Sequence, residues 1–444
     1  MSFIADKQTL DDLNLLGKYK AHSVFSLFNK VCTAGGGQLL ESMFRDPLTN
    51  AALINQRSAV FKWFGSKKLV FPFDSATFLT MENYLSSGGS ANRFVASVNT
   101  WKKKMLHTMG LDKEFETIVS GLQATRKCLN GLKRFLLQLE GDSPFAGEIQ
   151  AVGEILNSRW LHWLDQDNQH LSFAAIIRYD NLLRIRLRNE MSAVLQFIYQ
   201  VDVYIAVSAV AREKGYCYAR ALPGEMCAVQ IQDCRHPSIE KAVANTISLQ
   251  RNSNVLFLTG ANMAGKSTFM KSFAIAVYLA HMGFPVAASG MEFSVRDGLY
   301  TSINVPDNLQ MGYSHFYAEV RRVKLVAQEV SAGKNLLVIF DELFKGTNVK
   351  DAYDATLAVT RAFSEYRNCF FIISTHIIEV ADALKTACNN LQFVFFPTIM
   401  EGTVPRYTYR LQAGVSSDRH GMMIIQHEGI VEIIQAQAAS KTAM

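Results

Sequence analysis

Residues 255–268 read VLFLTGANMAGKST. The apolar run Val255–Thr259 reads as a strand, and Phe269–Ala280 beyond the quoted stretch reads as a helix. Between them, Gly260, Ala261, Asn262, Met263, Ala264, Gly265, Lys266, Ser267 and Thr268 fit the pattern GxxxxGK(S/T) in the strand–loop–helix setting where it has physical meaning. Glycine lets such a loop turn its N–H groups inward on phosphate oxygens, and the helix N-terminus adds a favourable dipole. These nine residues are the candidate nucleotide-binding set. Lys266 is expected to bridge the β- and γ-phosphates of ATP, and the Ser267 hydroxyl to ligate Mg2+.

Downstream, Leu336–Glu342 reads LLVIFDE, a continuous apolar strand ending in two carboxylates. Such a run suits a strand buried on both faces, and ligands collect beyond strand C-termini in parallel sheets. Asp341 is expected in the magnesium shell, and Glu342 to polarise the attacking water. A further strand, Cys369–Ser374, runs into Thr375 and His376, which places His376 within reach of the γ-phosphate. Short apolar runs at Phe393–Phe396 and Tyr407–Leu411 add strands, with helical stretches between the central ones. Strands alternating with helices give an α/β domain, a largely parallel sheet with helices on both faces.

The first half has another texture. From Leu10 to about Ala211 the signal is amphipathic helix, as in Glu116–Leu139 and Leu171–Ala211. Breaks are read at Ala34–Gly37, Ser86–Ser90 and Gly141–Pro144. The 444 residues therefore divide into a mainly α-helical domain, 1–211, and an α/β domain, 212–444, with Pro223 and Pro237 in the opening strands and loops of the second. A hydrophobic fraction of 49% excludes a disordered chain.

The seven cysteines show no CxxC pair, so free thiols are expected in place of a disulfide framework or zinc site. The first ten residues hold Asp6 and Lys7 and no apolar core, so no signal peptide is expected. Met191–Ala211 has membrane-spanning length but contains Gln196, Gln200 and Asp202. An Asp near a bilayer centre costs about 2.5–3.5 kcal/mol on insertion scales. A buried soluble helix, no membrane and a cytoplasmic location are the expectation.

Together, Gly260–Thr268 (GANMAGKST), Asp341–Asn348 (DELFKGTN) and Ser374-Thr375-His376 resemble the ATPase domain of the MutS family of DNA mismatch-repair proteins, itself similar to ABC-type ATPases. Arg235-His236-Pro237 followed by Asn245, Tyr409–Gly414 and Gly421–Gly429 extend the likeness, and Thr33–Leu40 with Pro47 and Arg57 resembles the start of the family's helical core. The resemblance implies a P-loop NTPase fold, ATP hydrolysis with Mg2+, and homodimerisation through the ATPase domain. Gly312–Glu319 resembles the segment whose serine acts in trans, which gives that role to Ser314. Two departures stand out: His315 replaces the usual threonine, and Phe344 stands where a glycine is usual, with a cation kept at Lys345.

The core-like segment begins by about residue 25, so a shortened member without the N-terminal recognition domain is expected. Its two Phe-x-Glu triplets, at Phe340 and Phe363, fall within the α/β half. DNA as partner also follows from the resemblance, as a duplex or branched structure bound without sequence preference. Lys102–Lys104 beside Trp101, and Arg184, Arg186 and Arg188, are the basic clusters on offer, yet residues 101–190 carry 13 Lys/Arg against 11 Asp/Glu. The sequence alone equally allows a dimeric ATP-dependent switch with a protein partner, or an ATP-binding module with little turnover.

Overall fold

The computed structural model describes residues 2–17, 23–87, 113–165, 171–261, 263–303, 315–401, 404–416, 429 and 433. They form two compact units. One comprises Met1–Leu27, Phe44–Ser58 and Glu213–Met444; the other, helical, comprises Phe28–Met43 and Ala59–Arg212. The long division thus falls between Arg212 and Glu213, while residues 1–27 and 44–58 belong with the C-terminal unit.

The C-terminal unit is built on a six-stranded sheet. With β1 (Cys217–Tyr218), β2 (Arg220–Leu222), β3 (Ala228–Cys234), β4 (Asn245–Gln250), β5 (Val255–Thr259), β6 (Pro285–Val286), β7 (Gly290–Ser294), β8 (Gly298–Ser302), β9 (Leu336–Phe340), β10 (Phe370–Ser374), β11 (Leu391–Phe395), β12 (Thr398–Glu401), β13 (Val404–Tyr407) and β14 (Gln412–Ala413), its order is β14-β11-β5-β10-β9-β8. Five strands are parallel, and β14 closes the edge antiparallel to β11. Every residue of β5, β8, β9 and β10 is buried, as the continuous apolar runs of β5, β9 and β10 lead one to expect. One face packs on helices His315–Ser331, Val349–Ser364 and Glu379–Ala387 through Val326, Phe363 and Leu384 against Val338, Phe340 and Phe371. A second sheet, β2-β7-β3-β4, is mixed, with β3 antiparallel to both neighbours.

The N-terminal residues are tied to this sheet. Ile4 bridges Gly298 in parallel, extending the β8 edge. In helix α1 (Lys7–Asp12), Asp12 Oδ2 accepts from Thr301 Oγ1 at 2.8 Å and from the Ile303 amide at 3.0 Å. Arg322 donates to Asp6, to Thr9 Oγ1 at 3.2 Å and to Thr301 O at 2.6 Å.

The helical unit draws on α2 (Ala34–Arg45) and α3 (Ala51–Lys67), each cut by the division between units, and on α4 (Ser75–Ser86), α5 (Lys113–Gln138), α6 (Ala146–Leu156), α7 (Phe173–Asn181) and α8 (Arg188–Lys214). Ala34–Gly37, expected as a break, instead opens α2. Thr33 Oγ1 caps it by accepting the Gly36 amide at 2.9 Å, and the Asp202 carboxylate accepts the Thr33 amide at 2.8 Å and the Thr33 hydroxyl at 2.7 Å. Close approach explains the glycines: a Cβ on Gly36 would lie 2.7 Å from Asp202 Oδ2, and one on Gly35 2.2 Å from Tyr199 Cζ. Asp202 is thus the polar residue that the apolar tract of α8 carries for its own unit. That helix is long and apolar enough to cross a membrane by composition, and 67% of its apolar window is buried.

Leu171–Ala211, read as continuous helix, is interrupted by a π turn, Leu182–Arg186, where the Leu187 amide bonds Leu182 O at 2.8 Å. The widened turn lets Arg184 reach Asp180 and Ser87 while Arg186 lies on Trp160. Tyr407–Leu411 is not one strand: β13 ends at Tyr407, and Tyr409 adopts φ +55°, which no strand tolerates. All seven cysteines are free.

Candidate functional site

The glycine loop leaves β5 and turns into a helix, α9 (Lys266–His281), thirteen of whose residues are buried. Gly260 (φ +136°) and Gly265 (φ +102°) hold the loop in backbone conformations closed to side chains. At Gly265 the space is closed too, since a Cβ would lie 3.0 Å from the Tyr409 ring. Lys266, 5% exposed, folds back to donate to Gly260 O at 2.8 Å and Ala261 O at 3.1 Å, and its Nζ lies 3.9 Å from Glu342 Oε1. Burial pulls the ammonium pKa below its ordinary value, against the opposing pull of Glu342 and Asp341.

Asp341 follows β9 and joins three elements. Its Oδ2 accepts from Ser267 Oγ at the start of α9, its Oδ1 accepts from Ser374 Oγ at the end of β10 at 2.5 Å, and its amide donates to Ser302 O at 2.9 Å. Parallel pairing of β5, β10 and β9 brings these strand ends to one rim. Glu342 adopts φ +52° with its amide donated to Ser374 Oγ at 3.0 Å, so one hydroxyl fixes both carboxylate residues. Phe344 (φ +61°) is buried, its ring 6.0 Å from that of Phe316.

These side chains border a cavity of about 640 Å³. Ala261, Met263, Gly265, Lys266, Ser267, Thr268, Asp341 and Glu342 from the candidate set line it, together with Lys345, His236, Asn245 and Tyr409. The volume suits a small-molecule ligand. His376 follows β10 but is exposed and is not among the lining residues. Asn262 and Ser314 lie outside the described residues, as do Trp101 and Lys102–Lys104.

The donor set fits a magnesium–polyphosphate group: a lysine and a glycine loop at a helix N-terminus for the phosphates, and the hard oxygens of Ser267 and Asp341 for the cation. Lys266 and Ser267 here satisfy themselves on loop carbonyls and on Asp341, partners they can exchange for such a group.

Residues 256–444 match the family profile of MutS domain V. The DNA mismatch repair protein MutS of Thermus thermophilus is 32% identical over 267 residues, covering 59% of this chain and 32% of that protein. The proteins of the same name from Lactococcus lactis subsp. cremoris and Streptococcus sanguinis are each 27% identical, covering 59% and 60% of this chain and 32% of their own length. This chain fits the MutS family. It spans about a third of the length of the curated relatives it matches.

Two contributions to this site come from residues that the sequence placed within the family likeness without a role. Ser374 reads as a strand end and as the first residue of the Ser374-Thr375-His376 likeness, and its hydroxyl function depends on parallel register with β9. Asn245 closes the far side: its Nδ2 donates to Tyr409 O at 3.0 Å and its Oδ1 accepts the Leu411 amide at 2.7 Å, which holds Tyr409 over Gly265. A partner 164 residues away leaves no local signal. His236 lines the same cavity, and burial, with Lys271 nearby, lowers its pKa.

Proposed function

We propose that this chain is a MutS-like, DNA-binding ATPase of mismatch repair or a related DNA-repair process, with a P-loop, ABC-like nucleotide site. The observation that carries this reading is Asp341 held between Ser267 of the glycine loop and Ser374 of the adjacent strand end. The MutS likeness of the same residues supplies the DNA-repair setting.

Lys266 and the loop amides bind the phosphates of ATP. Ser267 and Asp341 hold Mg2+, which when bound neutralises charge on the phosphates. Glu342, its backbone fixed by Ser374, orients the attacking water. His376 senses the γ-phosphate from the strand end, and Ser314 completes the site of a second copy across a homodimer. Closure of that dimer on ATP and reopening on hydrolysis is then the clamp action passed to bound DNA.

The test is magnesium-dependent ATP hydrolysis by the wild type and Glu342→Gln, with duplex binding followed in parallel. The reading predicts turnover that Glu342→Gln reduces at least about a hundredfold while nucleotide binding persists. Equal, negligible hydrolysis in both would leave a binding module only. Turnover without duplex binding at low salt would point to a protein partner.

A further inference from the structure

The helical unit holds a separate cavity of about 560 Å³, formed by the 3-10 turn Arg159–Asp165 and by α7 with the π turn that follows. Arg159, Arg178, Arg186 and His162 line it, and no carboxylate does. Arg184, from the same basic run, is committed elsewhere, 2.8 Å from Asp180 and donating to Ser87 O at 2.9 Å. The lining arginines have no such partner: among the described residues none of the three makes an ion pair.

Aromatic rings set their geometry. The Arg186 guanidinium lies 3.4 Å from the centre of the Trp160 ring, and that of Arg159 4.7 Å. Trp163 and Tyr179, also lining the cavity, stack at 4.0 Å. A guanidinium stacked on a ring keeps its N–H edges free and its plane fixed. Like charges gathered in a concavity repel one another, and an anion relieves that repulsion.

We propose that this cavity binds the phosphate and base of an unpaired nucleotide in a single-stranded stretch of nucleic acid. Guanidinium forks match phosphate oxygens, and ring and guanidinium planes stack on any base, without sequence preference. A base offers its face to such a surface only when it is unstacked, and a concavity of this volume takes a nucleotide unit, not a duplex. The inference rests on the nucleic-acid part of the proposed function and narrows it to strands with unpaired bases.

The experiment is fluorescence anisotropy of the full chain with labelled oligo(dT) and with a duplex of equal length, across a salt series. Wild type is compared with Arg159→Glu/Arg178→Glu, both exposed positions, and with the milder Arg178→Gln, after thermal melts establish that each folds. Oligo(dT) affinity is expected to fall about tenfold or more in the double variant and by a smaller factor in Arg178→Gln. The salt slope should drop by about 0.7 in the double variant, as for the one lost phosphate contact, with duplex affinity nearly unchanged. Unchanged oligo(dT) affinity in the double variant overturns the proposal, as does competition by dTMP as effective as by the strand. Duplex binding without any oligo(dT) binding overturns this inference alone, whereas no binding of either at low salt overturns the DNA reading with it.

Discussion

Ser374 Oγ lies 2.5 Å from Asp341 Oδ1 and accepts the Glu342 amide at 3.0 Å. One small side chain at the end of β10 therefore sets the position of both carboxylate residues at the end of β9. Its conservative replacement tests whether that geometry matters.

Ser374→Ala removes a charge-assisted hydrogen bond worth about 1.5–3 kcal/mol and frees the amide of a residue in a left-handed conformation. Magnesium dependence of ATP turnover should shift to about tenfold higher metal, with magnesium-free nucleotide affinity little changed. Titrating Mg2+ against hydrolysis rate checks this, and Ser374→Thr should restore much of the loss.

Phe344 poses a sign question. Its φ of +61° costs about 1 kcal/mol that glycine would not, yet its buried ring packs on Phe316. Deleting a buried aromatic typically costs 3–5 kcal/mol, so packing outweighs strain. Phe344→Gly should destabilise the chain by about 2–4 kcal/mol in urea unfolding, although glycine is the usual family residue there.

Much of the C-terminal unit was legible because its strands are buried on both faces: a continuous apolar run such as Leu336–Phe340 has few alternatives. The glycine loop announced itself for a similar reason, since φ near +100° at Gly265 admits almost no other residue. The helical half misled where polar partners are distant. Ala34–Gly37 reads as a break because Asp202, which secures the start of α2 through Thr33, lies 169 residues beyond Thr33. The π turn at Leu182–Arg186 has no proline or glycine to mark it, and the N-terminal strap depends on Arg322, 316 residues from Asp6.

His281 gives a pH dependence. It is fully buried; Val277 O, 2.8 Å from Nδ1, is an acceptor, so Nδ1 carries the proton and Nε2 accepts the Arg296 amide at 3.0 Å. Burial lowers its pKa from 6.5 to about 4. The unfolded chain takes up this proton first, so the contribution is complete above pH 6.5 and lost as pH falls towards 4. The wild type should lose roughly 3 kcal/mol across that window beyond what His281→Asn loses, read from urea midpoints at several pH values.

Asn245 bonds to the backbone of Tyr409 and Leu411 at once. In Asn245→Ala both bonds go and Tyr409 is released from Gly265, so nucleotide affinity should weaken by about tenfold, with a stability cost of about 1–3 kcal/mol. Equilibrium binding of a fluorescent ATP analogue reads the first, and thermal melting the second.

The most direct measurement is calorimetric titration of ATP with Mg2+ into the purified chain and into Lys266→Ala. Saturable heat from the wild type, reduced at least about a hundredfold in affinity by the substitution, is the predicted result. No heat from the wild type, or the same affinity in both proteins, would contradict a nucleotide seated on the loop around Lys266.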